Sequence, residues 1–375
     1  MTQINTLGLF SGGGGLDLGF SAAGFHLVLS SDIDSFSCKT LEQNQEKKPY
    51  LNKHPVLCQD VRQLSQQSVK NEIGHCNIDF IIGGPPCQAF SIFGRRKGLE
   101  DPRGGLVFEY ARIINEIKPE AFIFENVTGL KTIHNGNLYQ ELLKTLSLSG
   151  EYTISDHEYE LAEFGVPQFR RRLFFIGTRS GKKVPKMFST HSEVKKEIFG
   201  EQKSLLNDCR PFNTVQSALS GLPKPITDWK KKPPLNGHVG RKHSERIVER
   251  YHSLSYGERD PKTRINKLNP DRPSFTIIVG SDAGGGKGHV HPYDPREVTP
   301  RESARIQTFP DWWDFHGTGR HVIRQVGNAV PPLFAGILAR YVSQNIFNTE
   351  AKPSIDELIK ILELNFLSNG NKRSI

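Results

Sequence analysis

The chain has little sulfur and no cysteine pair. Its 375 residues include five cysteines and two methionines. The cysteines, Cys38, Cys58, Cys76, Cys87 and Cys209, are odd in number and widely spaced, and no CxxC occurs. That excludes a disulfide scaffold and a cysteine-built zinc site, and it points to a reducing cytoplasmic setting. No metal is expected. No apolar run approaches the ~20 residues of a membrane span. The opening MTQINTLGLF lacks the charged-then-apolar pattern of a secretory signal. A membrane partner is therefore not expected. No internal repeat is visible. With 36% hydrophobic and 24% charged residues, the composition is that of a folded chain and excludes disorder.

What is abundant is positive charge, and it is unevenly placed. The chain carries 49 Lys+Arg against 40 Asp+Glu, net +9. Residues 1–179 hold 18 basic and 20 acidic residues, net −2; residues 180–272 hold 20 and 10, net +10; residues 273–375 hold 11 and 10, net +1. The excess thus sits in one middle segment that includes Lys182, Lys183, Lys195, Lys196, Lys230, Lys231, Lys232, Arg241, Lys242 and Arg246. A polyanion is its natural partner, since each phosphate contact releases condensed counterions. A solvated lobe without a partner would show the same charge.

The first half alternates strand and helix signals, the pattern of a parallel α/β sheet. Strands are predicted at Thr6–Phe10, His26–Ser30, Ile78–Ile82, Ala121–Phe124 and Leu173–Gly177, with a helix after the first placing Leu16, Phe20 and Ala23 on one face. Polar and glycine residues recur where these strands end. Ligands of open α/β sheets bind beyond the carboxyl ends of the strands, so Gly12–Gly15, Asp32, Asp60, Cys87 and Glu125 should converge on one crevice. After about residue 180 strand signals weaken, and Lys and Pro rise. This reads as an inserted lobe that closes near the Gly-rich stretch 281–289. Helices are expected after Thr299 and from Pro331, with a short amphipathic one within 353–366 and a frayed end at 367–375.

Four motifs carry candidate chemistry. FSGGGG, Phe10 to Gly15, follows a strand directly. Its glycines permit a sharp turn and close ligand approach, and the next helix offers its N-terminus. Asp32 follows ~20 residues later at a strand end, where a carboxylate can accept from two ribose hydroxyls. An ordinary strand–helix turn would read the same. In GGPPCQAFSIFGRRKG (83–98), Cys87 follows two stiff prolines at a strand end. A thiolate there is a strong nucleophile once its pKa is lowered, while a small buried cysteine is the plain alternative. FIFENV (122–127) ends a strand at Glu125, where a carboxyl beside a nucleophile can exchange a proton or merely hold structure. In GVPQFRRRLFFIG (165–177), Gln168, Arg170 and Arg172 alternate onto one face if extended, as a donor fork or as a solvated basic edge.

PPCQ, ENV, QFRRR and GNAVPP, in this order, resemble the cytosine-C5 DNA methyltransferase family of the bacterial restriction-modification type. RESARIQTFPDWW (301–313) and RQVGNAVPP (324–332) match its late motifs as closely, and the match runs from Phe10 to about Arg340. The resemblance implies a mostly parallel, Rossmann-like sheet binding S-adenosyl-L-methionine (SAM), with a smaller inserted target-recognition domain. It implies a catalytic domain over 1–180, recognition over 181–298, a return segment at 299–345 and a tail at 346–375. Phe10, Ser11, Gly12, Gly13, Gly14, Gly15 and Leu16 would form the cofactor loop. Asp32 and Ile33 would take ribose and adenine, Asp60 and Val61 the adenine amino group, and Asn328 and Val330 would return beside the first motif. Two departures stand out. The family usually has Asp before Leu-Phe, where this chain has Gly8, and usually Glu after the second strand, where this chain has Asp32.

The implied chemistry assigns Cys87 to attack C6 of cytosine, Glu125 to N3 and the exocyclic amine, and Arg172 with Arg170 to O2. A target inside a duplex must be flipped out first. The loop Phe90–Arg103 would close on it, with Ser91, Arg95, Arg96, Lys97, Arg103 and Gln168 on the DNA. Pro273–Ile277 resembles the end of the recognition region. Double-stranded DNA is thus the expected partner, SAM the cofactor, and a monomer the expected state, with a companion endonuclease plausible. Two rivals are an RNA cytosine methyltransferase, against which the ~100-residue basic lobe and the missing Cys-Phe-Thr tripeptide argue, and a catalytically dead DNA-binding relative, against which Cys87 and Glu125 argue.

Overall fold

The computed structural model describes residues 3–74, 77–86, 105–132, 136–193, 209–228, 230–277, 288–349 and 353–366. Cys87, Ser91, Arg95, Arg96, Lys97 and Arg103 lie outside the described residues, as do the loop 90–103 to which most of them belong, most of the Gly-rich stretch 281–289 and the end 367–375. The chain divides into two compact units. One comprises Met1–Tyr159, Arg171–Met187 and Ala335–Ser354; the other comprises Glu160–Arg170, Phe188–Phe334 and Ile355–Ile375.

The first unit is the predicted α/β sheet. Its elements are β1 (Asn5–Leu9), α1 (Gly15–Ala22), β2 (His26–Asp32), α2 (Ser35–Asn44), β3 (Val56–Cys58), α3 (Gln66–Ile73), β4 (Phe80–Gly83), α4 (Leu106–Ile117), β5 (Ala121–Val127), α5 (Asn137–Leu146), β6 (Thr153–Glu160) and β7 (Arg171–Thr178). The seven strands are ordered β3-β2-β1-β4-β5-β7-β6. β1–β2, β2–β3, β1–β4 and β4–β5 pair in parallel, and β7 runs antiparallel to β5. Helices cover both faces of such a sheet, so its central strands are buried throughout and read as unbroken apolar runs. Phe80, Ile81, Ile82, Phe122, Ile123 and Phe124 are fully buried, each contributing roughly 1.5–3 kcal/mol by that burial.

Two strands escape the sequence reading. β3 has only three residues, and β6 (TISDHEYE) buries just Ser155 and Tyr159. Both lie at the ends of the sheet order, where a strand has a neighbour on one side only and less of it is buried. α1 also differs from expectation: all eight of its residues are buried rather than one face. The run order reverses between β1 and β4, the place where open sheets bind ligands.

The second unit holds the short parallel pair β8 (His191–Ser192) and β9 (Arg210–Pro211), then α6 (Val215–Leu219), α7 (Glu245–Ser253), α8 (Pro300–Ile306) and α9 (Gly319–Asn328). α10 (Pro332–Ile346) starts in this unit and continues in the first, and α11 (Ile355–Ile361) falls within the expected tail helix. α8 begins with a reciprocal cap: Glu302 N–H donates to Thr299 Oγ1 at 3.1 Å, and Thr299 N–H to Glu302 Oε2 at 2.7 Å. Arg301 is fully buried and donates to the carbonyls of Asn236, Pro310 and Trp313. The late motif is thus a folding device as much as a signature. The stretch Gly319–Ile346 is long and apolar enough to cross a membrane, but 89% of its most apolar window is buried inside the protein.

Candidate active site

The first cluster lies at the ends of β1 and β2. Phe10 leaves β1 with φ +54°, and Gly12 and Gly14 follow with φ +54° and +83°. The turn needs left-handed backbone, which glycine adopts without strain and Phe10 does not. The turn is tied to β2: Ser11 N–H donates to Ser31 O at 3.0 Å, and Gly12 N–H to Asp32 Oδ2 at 2.8 Å. Asp34 N–H donates to the other Asp32 oxygen at 2.8 Å. Burial pushes the Asp32 carboxyl above its ordinary pKa, and these two N–H bonds work against that push. Ile33 beside it is 67% exposed, an apolar side chain offered to solvent at a strand end. Asp60 caps the turn Val61–Gln63, and its ion pair with Arg62 at 2.8 Å holds its pKa down. Val61 is buried. A Cβ added at Gly12 would meet only Phe10 O, at 3.9 Å. A carboxylate, backbone donors, open space and an exposed aliphatic face suit a nucleoside with a charged tail, so the cluster fits SAM.

The second cluster joins the ends of β4, β5 and β7. Glu125 is 9% exposed and pairs with Arg172, Nε to Oε1 at 2.9 Å. Gly84, in the turn leading to Cys87, lies so close that a Cβ there would stand 2.7 Å from Glu125 Oε2. Asn126 Nδ2 donates to Pro85 O at 3.2 Å. So although Cys87 itself is outside the described residues, Pro85, two residues before it, is fastened to the Glu125–Asn126 strand end. The sequence singled out Glu125 and Arg172; the packing of Gly84 and the Asn126 bond were not visible in it.

Other expected residues are placed differently. Arg170 is 1% exposed, and its Nη2 donates to Gly327 O at 2.8 Å and Ala329 O at 3.0 Å. Gln168 is fully buried, with its amide donating to Gln307 Oε1 and accepting from Ile277 N–H. Both therefore use their side chains to hold the GNAV and PSFTI segments within the second unit. Asn328 ends α9 and is exposed, while Val330 is buried. Of the basic residues, Lys230, Lys231, Lys232, Arg241, Lys242 and Arg246 are exposed. Among the described residues no group of three or more His, Cys, Asp or Glu is arranged to hold a metal.

Comparison with known proteins gives the family of the chain. A family described as C-5 cytosine-specific DNA methylase matches residues 4–344. The chain is 32% identical to the type II methyltransferase M.XorII of Xanthomonas oryzae pv. oryzae, covering 94% of this chain and 88% of that one. It is 33% identical to M1.HphI of Haemophilus parahaemolyticus, covering 91% and 87%. Among solved structures, an E. coli protein described as a DNA modification methyltransferase encoded within a prophage superposes with a TM-score of 0.72 at 30% identity, covering 92% of this chain and all of that one. The S. pombe Dnmt2 methyltransferase shares the fold, with a TM-score of 0.60 at 18% identity over 91% of this chain and 99% of that one.

Proposed function

The chain belongs to the C-5 cytosine-specific DNA methylase family, and from that footing we propose that it methylates C5 of a cytosine flipped out of a specific duplex DNA sequence, using SAM. The observation that carries this reading is the Glu125–Arg172 pair standing against Gly84, on the turn that delivers Cys87. A buried carboxylate and a guanidinium, side by side at strand ends and against Gly84, three residues before Cys87 in the chain, suit the hydrogen-bonding edge of a pyrimidine.

Each group answers a chemical need. C5 of cytosine is a weak nucleophile. Addition of the Cys87 thiolate to C6 turns C5 into an enamine carbon. Glu125 holds N3 and the exocyclic amine as charge develops at N3. Arg172 donates to O2, its fork matching a carbonyl beside a carboxylate. SAM, when bound, supplies the methyl group. Loss of the C5 proton to a base or water then lets the thiolate leave. Phe10, Gly12, Asp32, Ile33, Asp60 and Val61 would hold SAM, together with Ser11 and Gly13–Leu16. Arg170 and Gln168, bonded within the second unit, act as supports for the segments around them. Ser91, Arg95, Arg96, Lys97 and Arg103, outside the described residues, are assigned to the DNA around the target.

Residues 181–298, nearly all of them in the basic second unit, read the sequence around the target. The type II names of the relatives support a place in a restriction-modification system beside a cognate endonuclease. A monomer in the cytoplasm suffices for this task. The test is transfer of labelled methyl from SAM to duplex DNA and to tRNA, with a duplex carrying 5-fluorocytosine as a trap. Methylation of DNA and a covalent adduct lost in Cys87→Ala are expected. Transfer to tRNA alone, or no transfer, overturns the reading.

A further inference from the structure

Position 8 has no side chain, yet a carboxylate stands over it. Gly8 lies on β1 opposite Ser30 of β2, in the strand that leads into the cofactor loop. A Cβ built on Gly8 would stand 2.8 Å from Ser11 Oγ and 3.0 and 3.1 Å from the two oxygens of Asp17. No side chain fits there while Asp17 does. Asp17 reaches that place from the first turn of α1 and is 5% exposed. Its Oδ2 accepts from Ser30 Oγ at 2.6 Å, and Ser30 Oγ in turn meets His54 Nε2 at 3.0 Å. Asp17 Oδ1 and Ser11 Oγ are buried and meet no well-aligned hydrogen-bond partner among the described residues. The Ser11 hydroxyl still acts on the carboxyl, favouring its ionised form as Ser30 does.

A buried carboxylate with one oxygen uncommitted is costly to keep unless a positive charge answers it. The first motif departs from the family pattern at this very place, with Gly8 where an aspartate is usual. We infer that Asp17 supplies from α1 the carboxylate that position 8 lacks: it is a positioning residue that holds Ser11 and Ser30 around the cofactor loop and favours the cationic amino-acid end of SAM. The inference rests on the SAM reading above. The loop Phe10–Gly14 has two carboxylates beside it, Asp32 accepting from Gly12 N–H and Asp17 crowding the same space over Gly8 as Ser11 Oγ, of which only the first was legible as a motif. On this reading the carboxylate beside position 8 comes from the helix instead of the strand.

An exchange of this kind predicts rescue. The experiment measures SAM affinity by calorimetry on the full chain, with thermal melting recorded without SAM for each variant. Asp17→Asn keeps the shape and should bind SAM about tenfold more weakly while melting no lower than wild type. Gly8→Asp should bind more weakly and melt lower, because two carboxylates then contend for one space. Gly8→Asp with Asp17→Ala returns one carboxylate to the site from the other element and should recover affinity to within a few-fold of wild type. Unchanged affinity in Asp17→Asn, or a double variant no better than either single one, overturns the inference alone. A wild-type chain that binds no SAM overturns the cofactor reading and the inference with it.

Discussion

Arg172 Nε stands 2.9 Å from Glu125 Oε1 across the antiparallel β5–β7 ladder, on the same sheet face, because Arg172 lies directly opposite Val127 and Glu125 is two residues away from it. The pair is mostly buried, with side-chain exposures of 14% and 11%. Each group therefore holds the other in place before any base arrives. Neither is free to turn away into solvent, which is the preorganisation a charge-stabilising site needs.

Glu125→Gln should lower turnover far more than DNA affinity. Glutamine keeps the shape and some hydrogen bonding but cannot carry the carboxylate charge, and it releases Arg172. Losses on the order of 10²–10⁴ in single-turnover rate are expected, with DNA affinity within a few-fold. Rapid-quench methylation beside equilibrium DNA binding separates the two. Equal losses in both would make Glu125 a binding residue.

Gly84→Ala tests the packing between the Cys87 turn and Glu125. The new methyl would sit 2.7 Å from Glu125 Oε2, so either the carboxylate or the turn must move. About tenfold or greater loss of activity is expected, with the cofactor site untouched. SAM binding at wild-type strength with activity lost is the predicted signature. Full activity would mean that the turn has room to shift without consequence.

The legible part of this protein was its parallel sheet and its charged loop ends. β1, β2, β4, β5 and β7 each announce themselves by an apolar run followed by a polar or glycine signal. The illegible part was pairwise. Nothing in QFRRR distinguishes Arg170 from Arg172, since both are arginines two residues apart. The fold sends one guanidinium to the carbonyls of Gly327 and Ala329 and the other to Glu125. Alternation predicted a shared face only if the segment stayed extended, whereas β7 starts at Arg171 and Arg170 lies outside it. Asp17 was hidden for a similar reason. In GGLDLGF it reads as a first-turn helix acid, and only the strand packing reveals that it fills the space of residue 8.

Asp17 should also leave a mark on stability against pH. Burial lifts its carboxyl from the ordinary 3.8 to about 6, opposed by Ser30 and Ser11 and aided by the nearby charge of Asp32. A folded-state pKa raised above the unfolded one gives stability that is full below about pH 4 and lost as pH rises through about 6. The rise is worth about 3 kcal/mol. His54, joined through Ser30, has a pKa lowered by burial and opposes folding on the acid side instead, so the comparison must be differential. The stability of Asp17→Asn minus that of wild type, by denaturant titration without SAM, should climb between pH 4 and 7. Parallel curves would show that Asp17 keeps its ordinary pKa.

Lys230, Lys231 and Lys232 are exposed in the second unit. If they touch phosphate, replacing all three with Ala should weaken binding to every duplex by a similar factor. The log–log dependence on salt should flatten by up to about 0.9 for each phosphate no longer neutralised. Filter binding at several salt concentrations, on target and scrambled duplexes, reads this directly. A loss confined to the target sequence would instead place these lysines on base edges.

The division of labour between the units makes the broadest prediction. The Glu125–Arg172 pair and the Asp32 cluster lie in the first unit, whose longest segment falls in the stretch of net charge −2. The +10 stretch, residues 180–272, falls mostly in the second. Phosphate attraction supplies affinity without choosing a sequence, and base edges supply the choice. Residues ~185–280 should therefore set which site is methylated, while the first unit sets whether methylation occurs. Exchanging that segment for the matching one of a relative with another target should move the methylated site and leave the turnover rate within about tenfold. The seven strands of the large sheet all end by Thr178, before the exchanged segment begins, so they remain intact in the chimera. Bisulfite sequencing of plasmid DNA modified by the chimera reports the methylated site whatever its sequence. An active chimera that still marks the original sequence would put recognition in the catalytic unit and end this assignment.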